Sequence, residues 1–236
     1  MNFSGQLIKA RIIKRYNRFL ADVTTLDEKK FTVYVPNTGS LKTCWETGDE
    51  VWLEKSTNLD RKLPYTLVAI QRNTSLIGLY SALANNLVEE ALTNGKMEDF
   101  GEIKNCQREV KHARSRFDFL LNDSTYVEVK SVTMTHPEGL YPETAYFPDA
   151  VTTRGTKHLE DLTSMKKSGL DTGIIYVIQR ENIKDFAVAD FIDPDYANAF
   201  EEAQRWGVKF AFYNCSFKMT EIGTSSINIH HSLQLR

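Results

Sequence analysis

"RSRFDFLLNDSTYVEVKSV" (114–132) is the stretch on which the reading of this 236-residue chain turns. Two alternating runs flank a polar turn. In the first, Phe117, Phe119 and Leu121 share one face, and Arg116, Asp118 and Leu120 the other. In the second, Val127 and Val129 oppose Tyr126, Glu128 and Lys130. This pattern predicts an antiparallel hairpin. Centred on Asp123, it sets Asp118 opposite Glu128, with Cβ atoms roughly 4.5–5.5 Å apart. Lys130 follows two residues on, on the face that carries both acids.

Two carboxylates that close can share one divalent cation, Mg2+ or Mn2+, and a neighbouring lysine can orient water or offset developing negative charge. Asp118, Glu128 and Lys130 are therefore candidate catalytic residues for phosphodiester hydrolysis, with the two acids as metal ligands. A plain surface ion pair between Glu128 and Lys130 is the competing reading. The same tripeptide occurs in "REVKH" (108–112), and Asp99 precedes Glu109 by the same ten residues. No alternating strand carries Asp99, so that copy lacks the geometry and reads as a neighbouring strand. "FPDA" (147–150) contains Pro-Asp but precedes a helix, with no hairpin after it.

Working outward, the fold class is mixed α/β in two parts, 1–80 and 81–236. Residues 6–16, 19–26, 30–36, 49–56 and 64–71 are five short strand-like runs, which suit a small closed barrel of the OB type. The later part reads as a helix over 79–94, three strands around 106–132, a helix over 155–168 capped by Thr152 or Thr153, a buried strand "TGIIYVIQR" (172–180), a helix over 195–206 and a last strand. That order implies a mixed sheet flanked by helices.

Composition excludes several classes. The longest apolar run, "GIIYVI" (173–178), is too short to span a membrane, and charges interrupt the N-terminal stretch where a signal peptide would be apolar. Cys44, Cys106 and Cys215 have no zinc spacing and read as reduced thiols of a cytoplasmic protein. His230–His231 read as part of an ordinary C-terminal strand. The net charge of −2 hides an asymmetry: 12 Lys/Arg against 8 Asp/Glu in residues 1–80, and 17 against 23 in the rest. Arg11, Arg15 and Arg18 lie in an acid-free stretch beside Tyr16 and Phe19, a pattern that suits phosphates and stacked bases. Core packing explains any one of these aromatics more cheaply. Arg116 next to the hairpin, and Arg154 in "TTRGTKHL" at a helix start, are further candidate phosphate contacts, and Lys157 could reach the scissile phosphate from that helix.

"RYNRFLADV", "VPNTGSL", "RSRFDFLL", "YVEVKSVT" and "YFPDAVTTRGTKHL" resemble, in order along most of the chain, the sugar fermentation stimulation protein A family. The resemblance implies an OB-type domain followed by a PD-(D/E)xK nuclease-like domain, non-sequence-specific DNA binding, and a role in regulating sugar (maltose) metabolism. The nuclease pattern places the acids at Asp118 and Glu128 and the lysine at Lys130. It adds Glu90 as an auxiliary metal acid and Lys157 as the polar residue of the following helix. Phe117 stands where that pattern has proline. A DNA-binding regulator that does not cut is the alternative, and a homodimer is left open.

Overall fold

The computed structural model describes every residue except Ser4 and Gly223, together with the side chain of His231. The N-terminal strands are β1 (Leu7–Tyr16), β2 (Leu20–Thr24), β3 (Lys30–Tyr34), β4 (Glu50–Lys55), β5 (Tyr65–Arg72) and β6 (Ser75–Gly78). β1 pairs with β4 through residues Leu7 to Arg11 and with β2 through Arg11 to Tyr16, and the β1–β2 register shifts between Ile12 and Lys14. Such a bulge bends a strand and increases its twist, which lets one strand serve both sides of a curled sheet. β3 then meets β5 at Tyr34 and Thr66, in the OB arrangement expected from the sequence. Ile12, Val23, Val33, Leu53, Leu67 and Ile70 fill the interior. The short β6, a hairpin partner of β5, was not expected from the pattern.

The second sheet is built from β7 (Cys106–His112), β8 (Ser115–Leu121), β9 (Thr125–Val132), β11 (Asp171–Ile178), β13 (Lys209–Lys218) and β14 (Ser226–Ser232). Its order is β14-β13-β11-β9-β8-β7. β11 runs parallel to both of its neighbours, and residues Thr172 to Ile178 are all buried. A strand covered on both faces has no polar side to alternate with, which accounts for its unbroken apolar text. Helix α1 (Leu83–Thr93) covers one face through Leu87, Val88, Ala91 and Leu92. Helices α2 (Thr153–Lys167) and α3 (Pro194–Arg205) cover the other. Thr152 caps α2 by accepting the Gly155 N–H, and Asp193 caps α3 by accepting that of Tyr196. A small parallel sheet of β10 (Thr144–Phe147), β12 (Asp185–Val188) and β15 (Gln234–Leu235) lies beside them. His230 and His231 fall in β14 as expected, the side chain of the latter lying outside the described residues. Among the described residues, no helix is long and apolar enough to cross a membrane.

The two sheets are fastened by the loop after β3. The Asp149 carboxylate accepts the Ser40 N–H at 2.7 Å, and a Cβ at Gly39 would collide with that carboxylate. Asp149, of the "FPDA" segment, thus joins the two parts of the chain. Replacing it by alanine leaves the Ser40 N–H without its charged acceptor. Asp149→Ala is expected to lower unfolding stability by about 1–3 kcal/mol, read by urea denaturation.

Candidate metal and nucleic-acid site

The hairpin register predicted from the sequence is present: β8 and β9 pair Phe119 with Val127, Leu120 with Tyr126, and Leu121 with Thr125. The ladder stops one step short of Asp118. On the other side, β7 pairs with β8 at Arg108–Phe119 and at Val110–Phe117, but Glu109 between them has φ +54° and is skipped. β8 is therefore kinked at Asp118. Strict alternation fails there, because Phe117 packs under α2 and α3 while Phe119 and Leu121 pack under α1. Where a strand neighbour would be, the Asp118 carboxylate takes over: Oδ2 accepts the Val129 N–H at 2.7 Å, and Oδ1 accepts from Asn85 Nδ2 of α1 at 2.7 Å.

Glu128 is buried on the α2 side of β9. Its Oε1 takes both of its partners, Lys130 Nζ at 2.7 Å and His158 Nδ1 at 2.5 Å. Lys130 and His158 are themselves 3.5 Å apart. These contacts set the two acids apart electrostatically. Burial pushes the Asp118 carboxyl up, and the charge of Glu128 pushes it further. Burial would raise Glu128 as well, but its bond to His158 and the charge of Lys130 outweigh it and hold that carboxyl below its ordinary value. Carboxylates displaced in opposite directions are characteristic of sites built for acid–base or metal chemistry.

Other expected residues lie elsewhere. Lys157 Nζ is bound to Ser115 Oγ at 2.8 Å and to Asp161 at 2.5 Å, outside the Glu128 cluster. Successive helix residues point ~100° apart, so turning His158 inward turns Lys157 to the flank. Glu90 bonds the amino group of Met1 at 3.1 Å, and Asn85, more than a helical turn earlier, is the α1 residue that reaches Asp118. Arg116 pairs with Glu109 at 3.4 Å on the outer strands. Asp99 sits in a short 3-10 turn and receives the Tyr213 hydroxyl, so the first Glu-x-Lys copy has no acid pair.

Of the N-terminal cations, Arg15 is committed internally. Its guanidinium donates to the carbonyls of Ser40, Arg18, Asn37 and Gly39 at 2.7–3.0 Å, and burial lowers its pKa. Arg11 donates to the Gly48 carbonyl at 2.8 Å. Arg18 and Arg154 are exposed. Arg18 borders a hollow of about 300 Å3 with Tyr16, Lys42 and Trp45, and no acid lines it. Lys42 and Asn85 were not expected from the sequence. His158, which stands with Arg154 and Lys157 in the helix start "TTRGTKHL", lies on the buried helical stripe of Leu159, Leu162 and Met165, which turns it to Glu128.

The oxygen donors at the acid pair suit a hard cation rather than zinc. Among the described residues, no group of three or more His, Cys, Asp or Glu side chains is placed to hold a metal. Two carboxylates completed by backbone carbonyl, water and phosphate oxygens are nonetheless a usual Mg2+ environment. A cation between Asp118 and Glu128 would also remove their mutual repulsion. In the metal-free protein, side-chain carboxyl carbon shifts should titrate above the ordinary range for Asp118 and below it for Glu128. Coincident titration of the two would contradict the asymmetry.

A family model described as "Sugar fermentation stimulation protein RE domain" matches residues 82–221, and one described as "SfsA N-terminal OB domain" matches residues 13–79. The chain is 40% identical over 214 residues to a sugar fermentation stimulation protein homolog of Thioalkalivibrio sulfidiphilus, covering 89% of each. It is 39% identical over 243 residues to the homolog of Shewanella sp. strain ANA-3, covering 100% of both. The solved structure of Pyrococcus furiosus SfsA in complex with Ca2+ matches with a TM-score of 0.85 at 22% identity, over 100% of this chain and 98% of that one. At that identity, the likeness is one of fold.

Proposed function

The chain belongs to the sugar fermentation stimulation protein family, and from that premise we propose that it binds DNA without sequence preference and cleaves it with a divalent cation. The observation that carries this reading is the pairing of a pinned, proton-hungry Asp118 with an ionised, buried Glu128 beside Lys130. The Ca2+ complex of the Pyrococcus protein supports it, because Ca2+ takes the same class of oxygen ligands. When bound, Mg2+ or Mn2+ would polarise the phosphate and lower the pKa of an attacking water. Asp118, Glu128 and the Val129 carbonyl would hold it. His158 fixes the rotamer of Glu128, and Lys130 offsets negative charge that develops on the phosphate.

The hollow with Arg18, Lys42, Tyr16 and Trp45 is the part of the OB surface best suited to a nucleic-acid strand. Cations there hold phosphates, and rings stack on bases of any sequence. We assign this binding to residues 1–80, the cleavage site to residues 81–236, and the activity to the cytoplasm.

Asp118→Ala is expected to abolish Mg2+- or Mn2+-dependent cleavage of plasmid and oligonucleotide DNA while leaving binding measured in EDTA at least as tight, since without a bridging cation removing an acid cannot weaken attraction to phosphate. Unchanged cleavage in that variant would refute the assignment. The double variant Arg18→Ala/Lys42→Ala should weaken binding to all sequences alike and flatten the log–log salt slope by about 1–2. An unaltered slope would move the binding surface elsewhere.

One observation favours a second reading, in which the protein binds DNA without cutting it and acts as a regulator of sugar (maltose) metabolism. Asp118 and Glu128 are already satisfied by Asn85, Val129, Lys130 and His158. Metal-independent binding with no cleavage by the wild-type chain would select that reading.

A further inference from the structure

A cavity of about 820 Å3 opens between the two sheets, where the β5–β6 turn meets the segment following β11. Its back wall is the face of β13 and β14 that carries Asn214, Ser216 and His230. The alternate residues Cys215, Ile227 and Ile229 turn into the core under α1. This cavity is separate from the acid pair on β8 and β9, none of whose residues lines it.

Arg180 is the anomaly in its lining. Only 9% of its surface is exposed. Nη1 donates to the Thr43 and Thr133 carbonyls, each at 3.2 Å, and Nε is buried with no partner. The acids nearby are engaged otherwise. Glu46 and Asp49 pair with Arg72, Glu143 pairs with Lys184, and Glu181 accepts the Leu76 N–H. Among the described residues, no carboxylate forms an ion pair with Arg180. Burial lowers its pKa, Cys44 offsets this in part, and the charge of Arg72 lowers it further. Carbonyls satisfy N–H groups but do not neutralise charge, and a buried cation without a counter-ion is costly.

We propose that this cleft binds a small hydroxylated organic phosphate, with the phosphate seated against Arg180. With Nη1 spent on carbonyls and Nε shut off from solvent, Nη2 is the guanidinium nitrogen left to meet a phosphate oxygen. The volume lies in the range of sites for whole small molecules, and such sites favour interfaces between folding units. Glu143 and Glu181 also line the cleft, which disfavours a ligand anionic throughout but suits one whose remaining groups are hydroxyl donors. Ser216 places a hydroxyl on the back wall. Thr43 precedes β4 and Thr133 follows β9, so Arg180 already bridges the two sheets. A ligand held by Arg180 would therefore stiffen the junction between the OB sheet and the sheet bearing the acid pair.

The test is titration calorimetry and thermal melting of the full chain with ribose 5-phosphate, AMP and inorganic phosphate. Saturable binding of ribose 5-phosphate or AMP that raises the melting temperature is expected, with inorganic phosphate at least tenfold weaker. Equal affinities for the two organic probes would identify the sugar phosphate as the recognised part, and preference for AMP would add a role for the base. Ser216→Trp, which fills the cleft from β13, and Arg180→Gln should each weaken binding at least tenfold. If Arg180→Gln fails to fold, Ser216→Trp decides. Absence of saturable binding by the wild-type chain, inorganic phosphate binding as tightly as the organic probes, or undiminished affinity in Ser216→Trp would overturn the proposal.

Discussion

The hydrogen bond from the Val129 amide to the Asp118 carboxylate holds the site together. A β-sheet normally satisfies each amide with a neighbouring carbonyl, and a buried amide left unpaired costs about as much as a lost hydrogen bond. Here β8 leaves the ladder at Asp118, and the side chain supplies the acceptor that the backbone withdrew. The carboxylate is thereby fixed against the strand that carries Glu128 and Lys130. Asn85 holds its second oxygen. A rigid acid beside a strand gap can serve as a ligand without first losing side-chain freedom.

That arrangement leaves an electrostatic imbalance. Lys130 and His158 both contact Glu128, whereas the direct partners of Asp118 are a backbone amide and a neutral side-chain amide. Glu128 therefore ionises readily while Asp118 resists. The site carries a conditional negative charge, which a divalent cation would stabilise in full. Arg180 presents the opposite case at the junction of the two sheets, a buried positive charge whose partners are carbonyls. Each feature is a local charge that the chain does not balance by itself.

Much of this was legible in the residue order. The five OB strands lie close to where β-rich runs and turn residues put them, and Thr152 caps α2 as its position suggested. The hairpin register followed from a polar turn between two alternating runs. Alternation fails at one residue, because a kink at Asp118 sends Phe117 and Phe119 to opposite cores. Arg15 is a different case. Charge density in a sequence does not reveal that a guanidinium is already spent on loop carbonyls. Glu90 and Lys157 belong to the right helices but to the wrong sides of them.

By itself, then, the sequence determined the order of elements, the hairpin register and the cap of α2, because alternation, turn chemistry and capping act between residues near in the chain. Only the tertiary structure decided which further groups complete the site. Asn85 reaches Asp118 across 33 residues, and His158 reaches Glu128 across 30. Such contacts depend on how helices seat against a sheet and on which face each residue turns inward. Packing of distant elements sets both, and no local pattern records it.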